Sequence, residues 1–328
     1  IIRSSAGGGY DFYARLVAKY MPRHIPGKPT AIAVNMAGAS GVVATNYMMN
    51  RAKRDGTEIA AISREQATQQ RAGGKSIKYD IRKMPTIGSI ASTTAVMVLS
   101  KNHPANSLKE LRAMKTTTKF GAQGKGGGSY QRPMLLKMEG YKIQIITGYT
   151  GTEERVLAMI RGDISGGSGS YDSLASYIKE NKFKIIAYLG NKLPELKGVP
   201  NIDEGHTSKR TLQLSALLQA PLAAGRPFVK TPGVPADRVK ILRTAFKKAL
   251  SDPGLLSDAK RAKRKVSWTD LNTMTKLYSE ILDTPDDVIA TFKTVMLGKS
   301  KGGKLVKHVG KVSGIKREGR RVTISYKG

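Results

Sequence analysis

The residues of this chain that are equipped for chemistry are small ones, gathered in short runs. Ser5-Ala6-Gly7-Gly8-Gly9-Tyr10-Asp11 follows the apolar pair Ile1-Ile2 and leads into a stretch with helical periodicity. A strand, a glycine turn and a helix together present free backbone N–H groups to an anion, because the first turn of a helix has donors without internal partners and the helix dipole is positive there. Glycine lets an oxyanion approach the backbone closely, having no Cβ in the way. Gly7, Gly8 and Gly9 thus read as half of a carboxylate site, the alternative being a tight turn that binds nothing. Asp11 suits a helix cap, with direct ligand contact as the other reading.

Further runs of the same kind recur along the chain. Met36-Ala37-Gly38-Ala39-Ser40-Gly41 is a second glycine turn, and Ser63 ends an apolar stretch. Gly124-Lys125-Gly126-Gly127-Gly128-Ser129 lacks the Gly-Lys-Ser/Thr of a phosphate loop and the last glycine of a dinucleotide fingerprint. Ser129 is either a ligand hydroxyl or an N-cap for its own helix. Gly148-Tyr149-Thr150-Gly151-Thr152 precedes a helix with acids in its first turn. Ser168 and Ser170 stand among glycines but not in a nucleophile elbow, and no histidine is near in sequence. They read as ligand hydroxyls or loop filler, not as nucleophiles. Tyr10, Tyr149 and Tyr171 either wall a cleft or pack in a core. His24, His103, His206 and His308 lack metal-ligand spacing, and there is no cysteine for a disulfide, a thiolate site or a nucleophile. No catalytic residue, metal or cofactor is expected.

Regular elements must hold these runs in place. Asp11 to about Met21 is helical, with Phe12, Leu16, Val17 and Tyr20 at three- and four-residue spacing. Thr30–Asn35 and Glu58–Ser63 read as strands, with a helix ending near Arg51 between them, so residues 1–65 alternate β-α-β-α-β. That alternation predicts a parallel sheet with helices on its faces and ligands at the carboxyl ends of its strands. After short strands at Thr86–Ile90 and Ala95–Ser100 the pattern restarts near Lys119. Gly162–Ser165 reads as a strand entering the loop Gly166–Asp172, and Phe183–Leu189 completes the second unit. Asp237–Leu250 is an amphipathic helix.

The fold class expected is α/β, with two lobes, each a mostly parallel sheet flanked by helices. Residues 1–100 with 222–298 form one lobe and 101–221 the other. Residues 299–328 form a basic extension, read as a β-hairpin turning at Glu318-Gly319.

Composition narrows the function classes. At 328 residues, with 40% apolar residues and no apolar run of membrane-spanning length, the chain reads as globular. Ile1 looks like mid-strand, which implies a missing natural N-terminus, so the lack of a signal peptide says nothing about compartment. Lys+Arg 56 against Asp+Glu 24 gives +32, which favours an anionic partner. The basic residues are spread along the chain, which is weaker evidence for nucleic acid than a cluster. The exception is the tail, where residues 301–328 hold nine Lys/Arg against Glu318 alone.

With these residues placed, the chain resembles the substrate-binding proteins of tripartite tricarboxylate transporters, the Bordetella uptake gene family. Ser5–Asp11 through Arg15, Asn35–Gly41, Asp55-Gly56-Thr57, Gly148–Thr152 with Gly162-Asp163-Ile164, and Gly225–Phe228 through Pro232–Arg238 carry the likeness over roughly residues 1–297. The resemblance implies a two-lobed periplasmic binding protein fold of type II character that closes by hinge motion on a small organic carboxylate, often a dicarboxylate. It implies that Ser5, Ala6, Gly7, Gly8, Gly9, Gly38, Ala39, Ser40, Ser63, Ser129, Thr150, Gly151 and Thr152 bind it, largely through backbone N–H groups. Donors at helix starts are then expected to neutralise the carboxylate without a buried arginine. It also implies a monomer in the periplasm that delivers its ligand to membrane permease subunits and catalyses nothing. Many members carry an acid in the last loop of the second lobe; here the acid comes only at Asp172, which favours a plain carboxylate over an amine-bearing ligand. The competing class is a polyanion or nucleic-acid binder using the basic tail, and it predicts affinity that falls steeply with salt.

Overall fold

The computed structural model describes residues 1–298, 311–318 and 321–327. Helix α1 (Gly9–Tyr20) forms where the periodicity placed it and buries Tyr13, Leu16, Val17 and Tyr20 on one face. Asp11 accepts the Gly7 N–H at 3.0 Å, and Arg15 holds it at 2.9 Å. A turn with Ala39 and Ser40 at positive φ leads to α2 (Val42–Asn50). Strand β1 (Ala60–Ala61) and helix α3 (Gln66–Ala72) follow, then β2 (Thr86–Ser89).

The chain next builds β3 (Ala95–Ser100), α4 (Leu108–Ala113), β4 (Thr118–Gly121), α5 (Gly128–Met138) and β5 (Ile143–Ile146). It continues with α6 (Thr152–Arg161), β6 (Gly166–Ser170), α7 (Tyr171–Lys179) and β7 (Phe183–Leu189). Helix α8 (Lys209–Ala224) carries the chain back to β8 (Pro227–Val229). Four helices follow: α9 (Ala236–Leu250), α10 (Pro253–Arg261), α11 (Leu271–Leu282) and α12 (Asp286–Phe292). In the tail, β9 (Lys311–Glu318) pairs antiparallel with β10 (Arg321–Lys327), the hairpin expected there.

Apart from this hairpin, the described residues form two sheets, one per lobe. The first has the order β1-β8-β2 and the second β5-β4-β6-β3-β7. The strand directions are mixed rather than mostly parallel. β4 runs parallel to β5 and β6, whereas β3 and β8, the first strands after each passage between the sheets, run antiparallel to their neighbours. β3 is hydrogen-bonded inside the second sheet, so the first lobe ends before it and not at residue 100. Val288, Ile289 and Phe292 of α12 also pack into the second lobe's core.

Three local expectations change. Thr30–Asn35 is reduced to a single parallel bridge from Ile2 to Asn35. It lies at an uncovered edge, with Ile32 82% exposed, so no neighbour extends the pairing. The expected strand Glu58–Ser63 shortens to Ala60–Ala61. Finally, Gly166–Ser170 is itself a central strand, not a loop following one. Its lack of side chains is what fits it there: a Cβ on Gly166 would lie 2.7 Å from the Phe120 ring, and Phe120 is fully buried. β3 packs on both faces, with Ala95, Met97 and Leu99 in one cluster and Val96 and Val98 in the other, as expected of a buried strand.

Candidate functional site

The amino ends of four helices converge between the lobes. Gly8, Gly9 and Tyr10 at the start of α1 face Gly127, Gly128 and Ser129 at the start of α5. Thr152 of α6, and Ser170 and Ser173 at the start of α7, complete the ring. They enclose a small cavity of about 50 Å³. Unpaired N–H groups and positive dipole ends aimed at one space favour an anion there. The lobes are in contact around it. Ser40 Oγ donates to Gly124 O at 3.3 Å, and Gln69 Nε2 donates to Gly126 O at 2.8 Å.

Arginines dominate the lining. Arg3, Arg64 and Arg226 come from the first lobe and Arg132 and Arg155 from the second, none more than 6% exposed. This overturns the expectation that no buried arginine would be needed. Tyr10 organises the first-lobe group: its hydroxyl accepts the Arg64 backbone N–H at 3.0 Å. The guanidinium carbons of Arg3, Arg64 and Arg226 lie 4.8, 5.7 and 5.3 Å from its ring centroid. Arg64 also reaches across to Ser170 Oγ at 2.9 Å. In the second lobe, Arg132 Nε donates to Ser168 Oγ at 2.7 Å, and Arg155 donates to Ser168 O at 2.7 Å and to Gly151 O at 3.2 Å.

Two carboxylates stand against them. Burial pushes the Glu65 carboxyl up, but Arg64 and Arg3 hold it below its usual value. Burial likewise opposes ionisation of Asp172, while Arg226 and Arg264 hold it charged, with Arg226 at 2.5 Å. Asp172 is therefore occupied by arginines and does not offer itself to a ligand amine. Burial lowers Arg132 to about 10, with Arg64 and Arg155 adding to the effect. Burial lowers Arg155 to about 10 as well, with Arg3 adding to it.

Of the residues expected from sequence, Gly8, Gly9, Tyr10, Ser129, Thr152, Ser168 and Ser170 line the cavity. Ser129 Oγ accepts the Gln123 N–H at 3.1 Å, a contact to the preceding loop. Asp11 does not line the cavity: it clamps the Gly7 turn to Arg15 and Asn35. Gly38, Ala39 and Ser40 form the turn that meets the Gly124–Gly127 loop at the lobe contact. Ser63 Oγ donates to Glu65 at 2.5 Å and so steadies a lining residue from behind. Thr150 is exposed and bonded to Glu154, Gly151 faces Ser5, and Gly7 faces Glu153, so these residues mark the rim. Ala6 is exposed, and Tyr149 and Tyr171 pack against the second lobe's core.

The five arginines were hidden among 56 basic residues. A signal existed: each falls where an apolar pattern runs. Arg3 follows Ile1-Ile2, Arg155 precedes Val156, and Arg226 precedes Pro227-Phe228-Val229. A charge on a buried face is rare unless paired or aimed at a partner.

Comparison with known proteins agrees with this architecture. The model of the tripartite tricarboxylate transporter receptor family, TctC, matches residues 13–291. A solved periplasmic binding protein, BugD, is 20% identical with a TM-score of 0.72, covering 89% of this chain and 95% of its own. Rpa4515 from R. palustris, solved with adipate, is 17% identical with a TM-score of 0.70 over 89% of this chain and 95% of its own. MatC from Rhodopseudomonas palustris, solved with bound malate, is 17% identical with a TM-score of 0.70 over 88% of this chain and 97% of its own. No curated protein matches. The family is one of periplasmic solute receptors, not enzymes, and among the described residues no helix is long and apolar enough to cross a membrane. With the family's model matched over most of its length and a two-lobed fold closed around an anion-seeking cavity, this chain belongs to the tripartite tricarboxylate transporter receptor family.

Proposed function

We propose that this protein works in the periplasm as the receptor of a tripartite tricarboxylate-type transporter, capturing a small organic carboxylate between its lobes and passing it to the membrane components. The observation that carries the reading is the convergence of four helix amino ends and five buried arginines on one cavity. Such donors are matched by the oxygens of small oxyanions, carboxylates among them. The bound adipate and malate of two structural neighbours point the same way. The ligand contacts proposed are Gly8, Gly9, Tyr10, Ser129, Thr152, Ser168 and Ser170, joined by the arginines. Binding is by hinge closure, and the Ser40–Gly124 and Gln69–Gly126 contacts latch the closed form.

The test is calorimetry with succinate, malate and adipate against adipamide, which keeps the chain of adipate and removes its charge. Heat is expected from the acids and none from the diamide. A folded protein giving no heat with any small organic acid, phosphorylated ones included, overturns the reading.

A further inference from the structure

The cavity holds more positive charge than a dicarboxylate neutralises. Among the described residues, five guanidinium groups and the single carboxylate of Glu65 line it, an excess of four. The layer behind adds Arg264 on one side and Asp172 and Glu153 on the other, which leaves an excess of three. Pairing gives the same number. Arg226 is matched by Asp172 and Arg64 by Glu65, but among the described residues Arg3, Arg132 and Arg155 have no carboxylate within 4.0 Å. Buried donors also lack partners: Arg3 Nε, Arg64 Nη1 and Arg226 Nε make no hydrogen bond among the described residues. Arg132 and Arg155 moreover lie near helix amino ends, where a cation opposes the dipole. A stable closed form therefore calls for a ligand that brings the missing negative charge.

Resting on the receptor reading above, we infer that the ligand is a compact trianion, a short carboxylic acid that also carries a phosphate or phosphonate group. A tetrahedral phosphoryl group places two charges on one centre, so with a single carboxylate it reaches three charges in the fewest atoms. The five guanidinium groups and the four helix amino ends face one shared space, which suits charge gathered on a single centre better than charge spread along a six-carbon tricarboxylate. Forked guanidinium groups and helix amino ends are both suited to phosphoryl oxygens. The site draws its donors from both lobes, so the charge is enclosed from all sides when they close.

The full-length chain is titrated calorimetrically near pH 8, where a phosphate monoester has lost its second proton. The probes are 2-phosphoglycolate, succinate, malate, adipate and tricarballylate. 2-Phosphoglycolate is expected to bind at least roughly tenfold more tightly than every other acid. A dicarboxylate binding equally well or better overturns the inference while leaving the receptor reading in place. Tricarballylate binding tightest overturns the phosphoryl assignment. No heat from any acid overturns both readings. Arg132→Gln is expected to reduce the preference for 2-phosphoglycolate over succinate, and Arg132→Lys to restore part of it, with circular dichroism confirming the fold. An equal loss for both ligands in Arg132→Gln overturns the charge-counting role, and the wild-type panel stands should that variant fail to fold.

Discussion

Arg132 and Arg155 are held in the second lobe through contacts to β6, and both depend on remaining protonated in a buried place. Burial lowers each to about 10. Anion affinity should therefore hold from neutral pH to about pH 9 and fall as pH rises through about 10, when the guanidinium charges are lost. Titrations at stepped pH, with the fold monitored by circular dichroism, check this; flat affinity beyond pH 11 would contradict it. Glu139 makes a different prediction. Burial pushes its carboxyl up, but hydrogen bonds from Thr211, Thr207 and Ser208 outweigh that and hold it at about 2. The lowered folded value means its stabilisation is complete above the unfolded carboxyl range near pH 4.3 and is lost as pH falls toward about 2. Glu139→Gln leaves the Thr207 and Ser208 N–H groups with a weaker acceptor, and chemical denaturation should show a loss of about 1–3 kcal/mol.

At the scale of elements, β6 is the strand on which the site depends. It is made of Gly166-Gly167-Ser168-Gly169-Ser170, lies between β3 and β4, and feeds Ser168 and Ser170 to Arg132 and Arg64. Gly166→Ala would set a methyl group 2.7 Å from the Phe120 ring, which has nowhere to go in the core. The expected result is a loss of about 1–3 kcal/mol in denaturant unfolding, from overpacking. At the start of α1, a Cβ on Gly9 would press on the Ser173 hydroxyl and on the Arg226 guanidinium at 2.9 Å. Both groups are buried and held, Arg226 by Asp172 and Ser173 by Arg264, so Gly9→Ala should lose about 1–3 kcal/mol in denaturant unfolding and bind carboxylates about tenfold more weakly. Equal binding would remove Gly9 from the site.

At the scale of the molecule, the lobes meet through the Ser40 turn and the Gly124–Gly127 loop, and ligand is expected to favour that closed form. Small-angle scattering of Gln69→Ala should show a larger radius than wild type at the same subsaturating ligand concentration, since one latch bond is gone; identical curves would count against the latch. The sequence by itself determined the helices, the order of lobe-building segments and the small residues at helix starts, because each follows from local periodicity and from where a Cβ is absent. Ser129, Thr152 and Gly9 were legible on those grounds. Only the tertiary structure decided which cations face the cavity. Arg3, Arg64, Arg132, Arg155 and Arg226 come from five separate segments and become one cluster only when two sheets pack across a cleft. It likewise decided that Gly166–Ser170 is a strand, since a run of glycines has no propensity for pairing and takes that form only because β3, β4 and the Phe120 ring leave room for a bare backbone.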